Sequence, residues 1–351
     1  MQSQRKGRLI WKRVGLGFLG ILFFLFALGL MKEGTGGLAP LLHGHLQVSN
    51  IANSLGIGWL MAYLILSGSP AAAAAMALLS ADALSSPQAL TMVAGSRLGA
   101  SSVVLLIGFI YALRGHEHRI TFTPGVLSLL LTGSIQLLSL PIGLLMLDYD
   151  WLEHLSLPAL ERLAVGLNGG LDPLIGSLTF LPSWTLFVIG VGLAILSFRL
   201  FDQVIPQVHL ERTNFEQIPR LVYRPEVMFL IGMAITLVTM SVSTSVSILV
   251  PLSTRGYVRR ENIIPYILGA NISTMVDTLV AAALLGDPRA VTVIAVYAVS
   301  TTLVSLLIIL LAYSFYEQII LTALARITRR QINFTLFMGV IVVVPVLLIL
   351  T

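Results

Sequence analysis

Two short runs of small and hydroxyl residues interrupt segments that are otherwise apolar: "LSGSP", Leu66 to Pro70, and "TMSVSTSVS", Thr239 to Ser247. Breaking a helix frees amide groups at one end and carbonyls at the other. Freed amides can hold an anion, while freed carbonyls with Ser or Thr hydroxyls can hold a cation. The candidate ligands are Ser67 and Ser69 in the first run and Ser241, Ser243, Thr244 and Ser245 in the second. Asn271, with Ser273 and Thr274 close behind, adds an amide that can donate and accept. Arg97 and Asp277 are the charges that fall deep within apolar windows, where an unpaired charge costs about 3 kcal/mol. The planar fork of Arg97 suits an oxyanion, and Asp277 suits a sodium ion or a proton. A plainer reading stands beside this one. The two charges can simply neutralise each other, and small residues such as Gly95 and Gly99 can simply let helices pack closely.

These side chains need elements to position them, and composition says which kind. The 351 residues are 56% hydrophobic and 11% charged, with mean hydropathy +0.93. A soluble domain carries about a quarter charged residues. Windows of about 18 or more nearly uncharged residues are long enough to cross a bilayer, and period-2 alternation of an outer-membrane barrel is missing. The expected class is an all-α polytopic membrane protein with the lipid bilayer as its surroundings. Cysteine is missing, which excludes disulfides and thiolate metal sites. Full spans are expected near 14–31, 88–113, 123–147, 182–200, 262–285, 289–313 and 332–350. The segments 55–83 and 227–253 are each expected to be re-entrant hairpins of half-length helices, and Tyr313 to Arg330 an interfacial amphipathic helix. The basic start of the chain, Arg5 to Arg13, with the apolar run Val14 to Met31, reads as a retained span, not a signal peptide.

Charge orients this map. Most of the 21 Lys and Arg fall on one side, expected to be the cytoplasm, together with the N-terminus. They include Arg114, Arg119, Arg199, Arg212, Arg220, Arg224, Arg255, Arg259, Arg260, Arg326, Arg329 and Arg330. Lys32, Arg162, Arg289 and the acidic loop with Asp148, Asp150, Glu153, Glu161 and Asp172 fall outside. The distribution holds only if both interrupted segments are re-entrant. The net charge of +5 is thereby explained by orientation, and no nucleic-acid partner is expected.

The chain also repeats. An offset of 174 residues carries Ser67 onto Ser241, Ser69 onto Ser243, Gly58 onto Gly232, Gly95 onto Gly269 and Phe24 onto Phe198. The first expected span runs inside to outside and its counterpart runs outside to inside, so the repeats have inverted topology. The domains read as a cytoplasmic basic N-terminus (1–13), repeat 1 (14–147), an extracytoplasmic loop (148–181), repeat 2 (182–313), and an interfacial helix with a final span (314–351). Each repeat is expected to hold a hairpin and a broken helix.

At these residues the chain resembles the sodium/phosphate cotransporter family, the type II group with its bacterial relatives. That family carries two Q-S-S-S-A-T-T hairpin tips, each followed by G-A-N-I-G-T-T. Here the second copy reads "MSVSTSV" (Met240 to Val246) then "GANISTM" (Gly269 to Met275), and the first reads "LSGSPAA" (Leu66 to Ala72) then "GSRLGAS" (Gly95 to Ser101). The opening "LFFLFALGLMKEGTGGL" is similar to the family's first span. Departures are Leu66 and Met240 for the tip glutamines, Gly68 and Val242 for the middle serines, Arg97 for the first asparagine, and Asp277 for a threonine. The resemblance implies sodium-dependent symport of inorganic phosphate or a similar small anion at a cell membrane. It implies no organic cofactor, sodium as coupling ion, and a homodimer as a plausible assembly. Alternatives on the same fold are a transporter or exporter of another anion, and a membrane sensor or partner-binding protein that does not transport. No G-x-x-x-x-G-K-[ST] loop, catalytic triad or H-E-x-x-H helix is present, so an enzyme is not expected. His43 and His45 read as loop histidines, not a metal site, and Pro345 as a tolerated kink.

Overall fold

A computed structural model describes residues 2–38, 50–113, 118–152, 166, 169–204, 224–254 and 258–351. His43, His45, Arg114, Glu153, Glu161, Arg162, Arg212, Arg220 and Arg255 lie outside the described residues, as do the side chains of residues 2–13 and of Arg119. The described residues form helices and turns with no strand among them. Seven of their helical segments are long and apolar enough to cross a membrane. In chain order the helices are α1 (Gln2–Gly34), α2 (Ile51–Ile65), α3 (Gly68–Ser80), α4 (Ser86–Leu113), α5 (His118–Asp148), α6 (Ser183–Val204) and α7 (Pro225–Thr239). There follow α8 (Val242–Ser247), α9 (Leu249–Thr254), α10 (Arg260–Ser273), α11 (Met275–Leu284), α12 (Pro288–Leu307), α13 (Tyr313–Arg329) and α14 (Gln331–Leu350).

The two interrupted segments break where their sequences lose apolar character. Helix α2 ends at Leu66 in the left-handed region (φ 57°), and α7 ends at Met240 in the same region (φ 48°), 174 residues on. Neither residue is glycine, and a side chain there costs roughly 1–2 kcal/mol. Leu66→Gly and Met240→Gly are therefore expected to hold or raise the melting temperature, by up to about 1 kcal/mol each after glycine's own entropic cost. A clear drop in thermal denaturation would mean that these side chains are held by contacts the backbone cost does not outweigh.

Glycines set how the next helices approach. A Cβ built on Gly58 would fall on the Met92 carbonyl oxygen, and one on Gly95 would fall on that of Leu55. The same approach recurs 174 residues later, with Gly232 against the Tyr266 carbonyl and Gly269 against that of Phe229. Contacts of Leu55 with Gly95, Trp59 with Gly99 and Tyr63 with Ser102 advance together, so α2 and α4 run parallel. Helix α3 runs antiparallel to α4, since Gly68 lies against Ser96 and Ala100 and α4 begins a few residues after α3 ends. Its run Ala71 to Ala75 is wholly buried, and side chains this small let the helix sit close against its neighbours. Helices α1 and α6 pack together through Phe24 and Phe198, whose rings meet edge-to-face at 5.4 Å, and Ser197 donates to the Gly20 carbonyl (2.7 Å).

One expectation needs correction. The segment with Arg97 was expected to be broken, like its counterpart with Asn271. Neither is cleanly broken: α10 and α11 part only at Thr274, which keeps right-handed helical dihedrals (φ −67°, ψ −11°) and still donates to the Ala270 carbonyl (3.2 Å). In α4 the Ser101 hydroxyl bonds the Arg97 carbonyl one turn back (2.9 Å), and the helix runs through unbroken. The helix from Tyr313, expected as an amphipathic segment, forms over Tyr313–Arg329, and α12 leads into it through a π-helical turn, Ile308–Ala312. Tyr316, Ile320 and Leu324 are its buried stripe, spaced four apart as one helix face requires.

An exposed clasp ties the turn after α3 to the start of α12. Arg289 reaches Asp82 at 2.7 Å and Asp287 at 3.0 Å. Burial works to raise the Asp287 carboxyl, but the hydrogen bonds and charge of Arg289 outweigh it and hold it below its usual value. Such a group stabilises the fold fully above its unfolded pKa, about 3.9, and loses that contribution as pH falls through the folded one. Asp287→Asn is thus expected to lower the melting temperature near neutral pH and to make no difference at the acid end of a pH series.

Candidate functional site between the two helix breaks

The first turns of α3 and α8 meet at one small buried cavity. Gly68 and Ser69 line it from α3, Ser241, Val242 and Ser243 from the start of α8, Arg97 and Ala100 from α4, and Asn271 from α10. Three pairs related by the 174-residue offset therefore share one wall: Gly68 with Val242, Ser69 with Ser243, and Arg97 with Asn271. The volume is about 10 Å³, room for about one water-sized body and less than a tetrahedral oxyanion needs.

Electrostatics concentrate at the α4–α11 contact. The Arg97 guanidinium lies 3.6 Å from the Asp277 carboxylate, and both side chains are almost fully buried. Arg97 Nη1 donates to Thr274 (3.2 Å) and Nη2 to Thr278. Its Nε is buried with no hydrogen-bond partner among the described residues. Asp277 accepts from Thr278 (2.8 Å) and from the Ser69 hydroxyl at the first turn of α3. The carboxylate thus sits where the partial positive charge of a helix N-terminus favours an anion. Asn271 pairs with Thr132 (3.4 Å), which in turn accepts from Ser101 (2.9 Å).

Not every expected ligand reaches this cavity. Ser69, Ser241, Ser243, Asn271 and Arg97 line it, and Asp277 and Thr274 stand directly behind through Ser69 and Arg97. Ser241 and Ser243 hydroxyls are 3.1 Å apart, and Ser241 also caps α8 by accepting from the Thr244 amide. Ser245 turns away, bonded to Thr236 (2.6 Å) and Tyr266 (2.8 Å). Ser273 points back to its own helix, Thr244 is exposed, and Ser67 is half-buried without lining the cavity. Thr132 and Thr278 were missed. Thr278 follows Thr274 by one helical turn and sits beside Asp277, a spacing that marks one polar face.

No family model, curated protein or solved structure matches the chain. Geometry carries the functional reading. A positive side chain with an unused donor, two sets of hydroxyls and a carboxylate can hold a small anion beside a cation or a proton.

Proposed function

We propose that the protein is an ion-coupled secondary transporter of a small anion, inorganic phosphate in symport with sodium being the first substrate pair to try, and not an enzyme. In this reading the chain is two inverted-topology repeats, each contributing a re-entrant hairpin, in a cell membrane with the N-terminus cytoplasmic. The observation that carries it is the single cavity lined by residue pairs 174 apart, with the unpartnered Nε of Arg97 beside it. Several features support a pseudo-twofold relation: the matched left-handed turns at Leu66 and Met240, the duplicated glycine approaches, and the Phe24–Phe198 contact between equivalent residues.

Mechanistically, Arg97 binds the anion, and the hydroxyls of Ser69 and Ser243 orient it. Asp277 holds the anion's place when the cavity is closed, since it already accepts from Ser69 and faces Arg97. Sodium binding or protonation at Asp277 weakens that contact and releases Arg97. Movement of the hairpins then opens the cavity to alternate sides.

The test is phosphate uptake into proteoliposomes under a sodium gradient, a proton gradient, or neither. Uptake driven by one gradient supports transport and names the coupling ion. Ser69→Ala with Ser243→Ala is expected to cut that uptake at least tenfold, about 1.4 kcal/mol of lost anion stabilisation. A second reading, an anion sensor that does not transport, is favoured by the small closed cavity and by Leu66 and Met240 at the tips. Phosphate binding to detergent-solubilised protein without uptake in any arm would establish it over the first.

A further inference from the structure

A second, far larger cavity lies between α2, α4 and the α13–α14 junction, with a volume of about 880 Å³. Phe109, Phe122 and Met338 form its apolar walls, Leu66 of the first helix break its inner end, and Arg329 and Arg330 its other end. Its lining is overwhelmingly apolar, yet the charge is gathered at one end. Both arginines are exposed, and neither forms an ion pair among the described residues.

Its length can be read from α14. Both Gln331 and Ile341 line it, and ten residues of helix rise about 15 Å. That is half of a bilayer's hydrocarbon core of about 30 Å. At the inner end Tyr63 donates to the Ile341 carbonyl (2.7 Å), closing the cavity just beside the α2–α3 turn. The cavity is thus cationic at one end, mostly apolar along the rest apart from Tyr63 and Ser102, and about as long as one leaflet is deep.

We propose that this cavity is a binding site for an anionic glycerophospholipid, with an acyl chain along the apolar walls and the phosphate on Arg329 and Arg330. Charge complementarity commits the site to an anionic headgroup, because a pair of free arginines at a membrane surface attracts acidic lipid. Its acyl chain lies against Leu66, so occupancy bears on the position of the first helix break. The site stands independently of the transport reading, and binding alone tests it.

The full-length protein in neutral detergent is titrated with phosphatidylglycerol and with phosphatidylcholine of the same chains, and retained lipid is counted by native mass spectrometry. Expected is a preference for phosphatidylglycerol of an order of magnitude or more, about what two phosphate-facing arginines supply. Arg329→Gln with Arg330→Gln should bring the two lipids within about twofold; both residues are exposed, and an unchanged size-exclusion profile checks that the fold is kept. Leu106→Trp, which adds bulk into the open cavity, should lower retention of phosphatidylglycerol while leaving that profile unchanged. Equal retention of both lipids by the unaltered protein would overturn the proposal, reducing the cavity to an unselective acyl slot. Selectivity surviving the double arginine change, or displacement of the lipid by millimolar inorganic phosphate alone, would overturn it too.

Discussion

Replacing Arg97 with glutamine is expected to abolish gradient-driven uptake and to destabilise the protein by about 3–5 kcal/mol. The second effect follows from burial. Asp277 is 3.6 Å away and nearly inaccessible to solvent, so removing the guanidinium leaves a buried carboxylate without its counter-charge. Stability alone would not separate a structural pair from a binding group. The double variant Arg97→Gln with Asp277→Asn does, because it removes both charges at once and leaves two neutral amides of similar shape. It is expected to recover most of the lost thermal stability, since the uncompensated charge is gone. Uptake should stay abolished, because no cation remains to hold the anion. If the double variant transports as the unaltered protein does, with the same ion dependence, the pair merely neutralises itself and the binding role assigned to Arg97 fails.

The other large effect is expected at the glycines where helices touch backbone to backbone. Gly58→Val and Gly232→Val should each cost about 3 kcal/mol or more, well above the usual surface change. A side chain at either position would collide with a main-chain carbonyl oxygen, of Met92 or of Tyr266. A rotamer change cannot relieve such a contact; the helices themselves must separate, and with them the turns at Leu66 and Met240. The duplicated geometry makes the two costs similar, and a melting series on detergent-solubilised protein measures both. Gly192→Val is the control, since a Cβ there meets open space and should leave melting unchanged. A Gly58 or Gly232 variant that melts like that control would show that the close approach does not hold the helix pair together.

Sequence alone went a long way with this protein, for reasons that lie in the membrane. Long uncharged runs leave the backbone no choice but helix, so the spans near 88–113, 123–147 and 332–350 were legible within a few residues of α4, α5 and α14. The breaks at Leu66 and Met240 were legible because hydroxyl and small residues interrupted apolar runs at matched positions, and the offset between them followed from residue identity. Burial of Arg97 and Asp277 could be read from their depth in apolar windows. What lay beyond reach depended on through-space approach. Eight hydroxyl candidates stood level in the sequence, whereas Ser69, Ser241 and Ser243 line the cavity and Ser245 is tied to Tyr266 on the far side of its own helix. The larger cavity was invisible because its walls come from helices far apart in the chain, and its two arginines read only as orienting charges at the end of an interfacial helix. Local pattern and solvent therefore fixed the elements, while the pairing of side chains across helices, set by where glycine and alanine let backbones touch, decided the site.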